Sequence, residues 1–255
     1  MLFISSPAKR LDFSSTWNSQ VTTRPIFSLE ANKIASILEK KSIEQLSRTM
    51  RISKKLAELN FKRYKSWDSG NTKHLKPAIL AYQGDVYKAL DVNSLGAHEK
   101  KYLQNHLRII TGMYGVLHPY DLIQAYRLEM RLKVGDKNID NLYTFWSKKI
   151  TIELNTMIET ANHAFCINVA SQEYSKVLDL SSLLVPLINI SFTQMKNGVV
   201  KSIGIHNKRA RGLLIRFAAQ NKSNCLEDLA AFSSDGYKLV KKTDGEMVFL
   251  TTNFS

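Results

Sequence analysis

Only two cysteines, Cys166 and Cys225, occur in the 255 residues, and they lack the CxxC spacing of a redox or zinc motif. Two thiols are too few for a disulfide framework or a self-contained zinc cluster, so both are expected to be reduced and buried. No stretch of eighteen apolar residues occurs, so no membrane-spanning helix is expected. The N-terminal run Leu2 to Ile4 meets Pro7 and Lys9 too soon to form the core of a secretion signal, and the expected location is the cytoplasm. The six histidines show no HxxxH spacing and no cysteine at ligand distance, so no metal and no other cofactor is expected. The phosphate loop GxxxxGK[ST], the dinucleotide fingerprint GxGxxG and the nucleophile elbow GxSxG are also missing. Nor is there an internal repeat, a linker or a low-complexity tract, which favours one domain over residues 1–255.

What the chain has in excess is positive charge. Thirty-six Lys and Arg against twenty-two Asp and Glu leave a net +14, which favours phosphates or anionic surfaces without saying which. Clustering narrows the choice. From Arg48 to Lys65 the bases Arg48, Arg51, Lys54, Lys55, Lys62, Arg63 and Lys65 are opposed by Glu58 alone, a positive stripe.

Apolar patterning predicts an α+β fold, a mixed β-sheet flanked by helices. Leu2 to Ile4 reads as a short buried strand running into the small-residue turn Ser5-Ser6-Pro7-Ala8-Lys9. Ala164 to Val169 reads as a second buried strand, leading into Ala170-Ser171. Helices are expected over Ser28 to Lys41 (through Leu29, Ile34, Ile37 and Leu38), from Ser42 with the capping box Ser42-Ile43-Glu44-Gln45, and after Ser53. Further helices are expected over Ala97 to Ile110, Leu142 to Ile158 and Asn207 to Asn221. Pro77 to Tyr82 reads as an apolar strand, Gly84-Asp85-Val86-Tyr87 as the turn into a short helix, and Arg127 to Leu132 alternates like a half-buried strand. Asn197-Gly198 supplies the left-handed pair of a tight hairpin between Val185–Gln194 and Val199–His206, and a second hairpin turns at Asp244-Gly245. Tyr114, Tyr120 and Tyr126 sit among apolar residues and are expected in the core.

Three local features could carry chemistry. Lys208, Arg209 and Arg211 fall in the expected first turn of a helix, where cations oppose the dipole unless an anion sits there, so a phosphate site or splayed solvated side chains both fit. Gly112 and Gly115 form a glycine turn after Arg108, suited to close approach of backbone amides to a DNA phosphate or simply to ending a helix. The strand-to-turn junctions Ser6-Pro7-Ala8-Lys9 and Asn168-Val169-Ala170-Ser171 stand where open sheets place ligands. Lys9, Arg127, Asn168 and Ser171 would line such a pocket, with Asp85, Glu129 or Glu173 as acid/base groups.

These motifs together resemble the YaaA family. The blocks are Ser6-Pro7-Ala8-Lys9 with Leu11-Asp12, Met50-Arg51-Ile52-Ser53 with Lys55-Leu56-Ala57, Gly84-Asp85-Val86-Tyr87, and His106-Leu107-Arg108. They continue through Gly112 with Tyr114-Gly115, Pro119, Asp121-Leu122, Tyr126 to Met130, and Leu142-Tyr143 with Phe145-Trp146. Ile167-Asn168, Ala170-Ser171, Glu173-Tyr174 and Arg209-Ala210-Arg211-Gly212-Leu213 complete the order. The resemblance implies a cytoplasmic bacterial protein that limits oxidative damage under peroxide, lowering free intracellular iron indirectly. It also implies a single compact α+β domain with a basic cleft and a DNA-binding helix-hairpin-helix-like element, which would fall at Gly112 to Gly115. His118 stands where the family carries an arginine, and Arg10 where it carries a threonine, so one phosphate contact is lost and another gained.

Two functions follow as expectations. In the first, the protein binds DNA, double- or single-stranded, with weak sequence preference, through Arg51, Arg108, Lys208, Arg209 and Arg211, with no membrane and no obligatory protein partner. In the second, it is an enzyme acting on a nucleotide or nucleic-acid base in a basic pocket.

Overall fold

In a computed structural model describing residues 1–17, 22–67, 75–137, 139 and 141–252, the strand Leu2–Ser5 lies at the centre of the sheet, buried along its whole length. Apolar residues on both faces suit a strand covered on both sides. It pairs in parallel with Cys166–Asn168 on one flank and Leu107–Thr111 on the other. The sheet runs Lys238–Lys242, Glu246–Thr251, Leu187–Lys196, Cys166–Asn168, Leu2–Ser5, Leu107–Thr111, Gly115–Leu117, and Val199–Lys201 pairs with Leu187–Lys196. Helices Ala97–His106, Leu142–Thr160 and Gly204–Asn221 pack against it. The buried apolar side chains form one core reaching from Met1 to Phe249. This is an α+β fold with a mixed sheet flanked by helices.

Local chemistry sets many of the boundaries. Ser42 and Gln45 close the expected capping box at the start of Ile43–Met50, and Ser53 caps Lys54–Lys65. Asn197 and Gly198 adopt φ of 53° and 75°, the left-handed pair that matches the twist of a hairpin. Cys166 is buried, Cys225 is partly exposed, and both are free thiols. Tyr114, Tyr120 and Tyr126 are buried, and the hydroxyls of Tyr82 and Tyr126 meet at 2.6 Å.

Several expectations are overturned. The 97–110 helix ends at His106, and Leu107–Thr111 is a strand, because Ile109, Ile110 and Thr111 are β-branched and pair with the central sheet. The glycine turn therefore joins two antiparallel strands, Leu107–Thr111 and Gly115–Leu117, and is no helix-hairpin-helix element. Its glycines serve packing: a Cβ on Gly112 would lie 2.7 Å from the Leu128 carbonyl, and one on Gly115 2.7 Å from the Trp146 ring. Residues 77–82 do not form one strand. Lys76–Pro77 pairs with Leu122–Ile123, Ala78–Ala81 is a helical turn, and Tyr82–Gln83 pairs with Arg10–Leu11. A short apolar run does not by itself distinguish buried helix from strand, and alanine favours the helix. Residues 127–132 form no ladder, and Glu129 is 4% exposed. Leu29, expected on the apolar face, is 74% exposed.

Candidate functional site

The parallel strands Leu2–Ser5 and Cys166–Asn168 end side by side, and each leaves the sheet through small residues that allow close approach. Ser6 Oγ accepts from the Ser171 amide at 2.8 Å and contacts Ser171 Oγ at 3.3 Å, clasping the two exits together. Asn168 is part of the frame. Its Oδ1 accepts from the Ala170 amide at 2.9 Å and its Nδ2 donates to Asn189 at 2.8 Å. Tyr87 hydroxyl donates to the Ser6 carbonyl at 2.9 Å and ties in the Gln83–Tyr87 segment.

Between these elements lies a cavity of about 410 Å³, at the carboxyl ends of parallel strands where ligands commonly bind. The Ser5–Arg10 loop forms one side and Gln83–Tyr87 another; Val169, Ser171, Glu173 and Tyr174 form a third, and Lys208 and Arg211 close it. Of the sequence-predicted residues, Lys9, Asp85, Ser171, Glu173, Lys208 and Arg211 line the cavity. Glu129 and Arg127 stand behind it: Lys9 Nζ is 3.5 Å and Arg127 Nη2 2.9 Å from Glu129 Oε1. Glu129 Oε2 and Arg127 Nε are buried and have no hydrogen-bond partner among the described residues. Arg10, which departs from the family pattern, also lines the cavity.

Arg211 is the least satisfied cation there. Its Nε is buried without a partner, no carboxylate pairs with it among the described residues, and burial pulls its pKa down with nothing to offset it. Partial burial of a guanidinium without a counter-charge carries a desolvation cost, which a bound anion would lower. Asp85 likewise has no ion pair or side-chain hydrogen bond among the described residues. A larger hollow of about 560 Å³ runs along Leu142–Thr160, where two of the three charged lining residues are engaged. Asp179 accepts from Ser181 and Ser182, and Lys176 lies 4.8 Å from the Tyr143 ring centre.

Other predicted phosphate contacts lie elsewhere. Arg108 is buried inside the sheet, donating from Nη1 to the Gln104 and Leu107 carbonyls at 2.9 and 2.7 Å and from Nε to Met157 Sδ at 2.8 Å. Burial pushes its pKa down to about 10, and it has no free face for a phosphate. The helix carrying Lys208, Arg209 and Arg211 begins at Gly204, so these cations lie beyond the first turn and do not oppose the dipole as expected. Arg209 pairs with Asp235 at 2.7 Å on the exposed side. Arg51 ends Ile43–Met50 in the left-handed conformation, exposed and outside the cavity lining. His118 is held near pKa 4 by burial and by Arg108, so it carries no charge at neutral pH.

Gly212 is the determinant that motif reading passed over. A Cβ there would lie 2.1 Å from the Val86 carbonyl, so the glycine lets Gly204–Asn221 meet Asp85–Leu90 backbone to backbone, and Arg211 and Asp85 line the same cavity. The signal was present: a glycine inside a helix costs about 1 kcal/mol and calls for a packing reason. Tyr87 and Tyr174, buried walls of the cavity, carried no such mark. Among the described residues no group of His, Cys, Asp and Glu could hold a metal ion, and no helix is long and apolar enough to cross a membrane.

Fold and site together define an α+β protein with a strand-end pocket lined by both cations and carboxylates. The chain belongs to the family described as peroxide stress protein YaaA, whose pattern it matches over residues 1–243. It is similar to a UPF0246 protein of Legionella pneumophila (strain Philadelphia 1), 41% identical over 244 residues, covering 95% of each chain. A UPF0246 protein of Crocosphaera subtropica is 38% identical, covering 98% of this chain and 100% of the relative. One from Delftia acidovorans is 40% identical, with 98% of each chain covered.

Proposed function

We propose that this peroxide-stress protein binds a nucleotide in the strand-end pocket, its phosphate held by Arg211 with Lys9, Arg10 and Lys208. The observation that carries this reading is the unpaired, partly buried Arg211, its Nε buried without a partner, on the wall of a cavity of about 410 Å³. That volume suits a small ligand or a single nucleotide unit and is far too small for a duplex. Asp85 and Glu129 supply carboxylates on or behind the same wall, so acid/base chemistry on the bound nucleotide is an extension of this reading. Calorimetric titration with mononucleotides and short single strands tests it. Binding at low salt that Arg211→Gln weakens at least about tenfold is the expected result. No binding, or binding indifferent to Arg211→Gln, would overturn it.

A second reading, DNA binding with weak sequence preference, is favoured by the exposed Arg48, Arg51, Lys54, Lys55, Lys62 and Lys65 along two successive helices. Such a surface would neutralise backbone phosphates whatever the sequence. The two readings combine if the pocket takes one unit of a strand lying on that surface. On either, a lowered level of free iron is an indirect consequence.

A further inference from the structure

Asp85 and Arg211 line one pocket, carry opposite charges and do not pair. No oxygen of Asp85 comes within 4.0 Å of an Arg211 nitrogen, and neither side chain has another partner among the described residues. The residues that follow them, Val86 and Gly212, meet across the two helices: a Cβ on Gly212 would lie 2.1 Å from the Val86 carbonyl oxygen. A cation and a carboxylate that line one pocket without pairing suit a ligand bearing an anion at one end and hydrogen-bond donors at the other.

Tyr87 and Tyr174, 8% and 7% exposed, add aromatic side chains to the pocket lining, of a kind that packs against a base. An ionised carboxylate only accepts, and its two oxygens take two parallel N–H groups best. On its Watson–Crick edge guanine presents two such donors side by side, N1–H and the N2 amino group. Adenine and cytosine place an acceptor beside their amino group, which a carboxylate repels. We infer that the pocket selects a guanine nucleotide, Asp85 reading the base edge while Arg211 takes the phosphate. This assignment rests on the nucleotide reading above and specifies its base.

The experiment is the ratio of affinities for GMP, IMP and AMP at fixed ionic strength, measured on the full chain. IMP differs from GMP only by the missing N2 amino group. GMP is expected to bind at least about tenfold more tightly than IMP, since a donor to a charged group is lost, and more tightly than AMP. Asp85→Asn and Asp85→Ala are expected to collapse the GMP to IMP ratio to below about twofold, an internal comparison that does not depend on absolute affinity. Repeating the comparison with a short dT strand carrying one dG or one deoxyinosine distinguishes a free nucleotide from a unit of a strand; the preference in either form supports the assignment. Equal binding of GMP, IMP and AMP, or a ratio that survives both substitutions, overturns guanine selection and leaves nucleotide binding standing. Failure of every nucleotide to bind takes down both.

Discussion

Replacing Gly212 with alanine tests whether the pocket depends on backbone contact between two helices. On propensity alone, alanine in the interior of Gly204–Asn221 would stabilise by about 1 kcal/mol. The structure predicts the opposite. The added Cβ would lie 2.1 Å from the Val86 carbonyl oxygen and 2.9 Å from both the Val86 carbonyl carbon and the Ala89 Cβ, where ordinary contact begins near 3.4 Å. The helices must therefore separate by roughly 1 Å, and the obstacle is backbone, which has no rotamer by which to retreat. Overpacking costs roughly 1–3 kcal/mol, and rigid backbone puts this site at the top of that range, leaving a net loss of about 2 kcal/mol. Urea unfolding followed by circular dichroism should show the midpoint falling by roughly 1 M at an unchanged slope. Gly204→Ala is the control. A Cβ there meets nothing within 4 Å, so its midpoint should stay or rise slightly. Because Lys208 and Arg211 ride on the displaced helix, nucleotide affinity should fall in Gly212→Ala even where the protein remains folded. A Gly212→Ala protein as stable as its parent, with equal affinity, would refute the account of how the pocket is held.

Stability should also depend on acidity between pH 6.5 and 4. Burial lowers the pKa of His118 and His163 from 6.5 to about 4, so the unfolded chain takes up protons first and the stability present above pH 6.5 is lost as pH falls toward 4. Asp121 opposes this: burial raises its pKa from 3.8 to about 6, so it adds stability below 3.8 that disappears as pH rises through 6. The carboxyl offsets about one histidine, and urea unfolding at pH 7 and pH 4.5 should differ by on the order of 3 kcal/mol; equal stability would contradict the assignment. Arg108→Ala should cost about 2–4 kcal/mol by leaving a cavity and two unpaired carbonyls, while the salt dependence of any DNA binding stays unchanged. Arg51→Ala should leave stability within about 0.5 kcal/mol, and on the DNA reading it should reduce the salt slope by about one; the reverse pattern would mean the two arginines have been assigned the wrong roles.

Much of this protein was determined by local sequence. The apolar Leu2 to Ile4 run, the Ser42 capping box, the Ser53 cap and the Asn197-Gly198 turn each act over a few residues, so their structures follow from nearby chemistry. The small residues at Ser6 and Ser171 likewise announced two strand ends that could leave room for a ligand. Other features depended on partners distant in the chain. Arg108 has the sequence of a phosphate contact but lies in a strand that the sheet buries, and no property of its neighbours reveals that. The Gly112 to Gly115 turn could end a helix or join two strands, and pairing of Leu107–Thr111 with the central strand decides it. Above all, the pocket is a tertiary product. Lys9, Asp85, Ser171 and Arg211 are separated by tens of residues, and only parallel strand pairing and the bare backbone at Gly212 place them around one cavity.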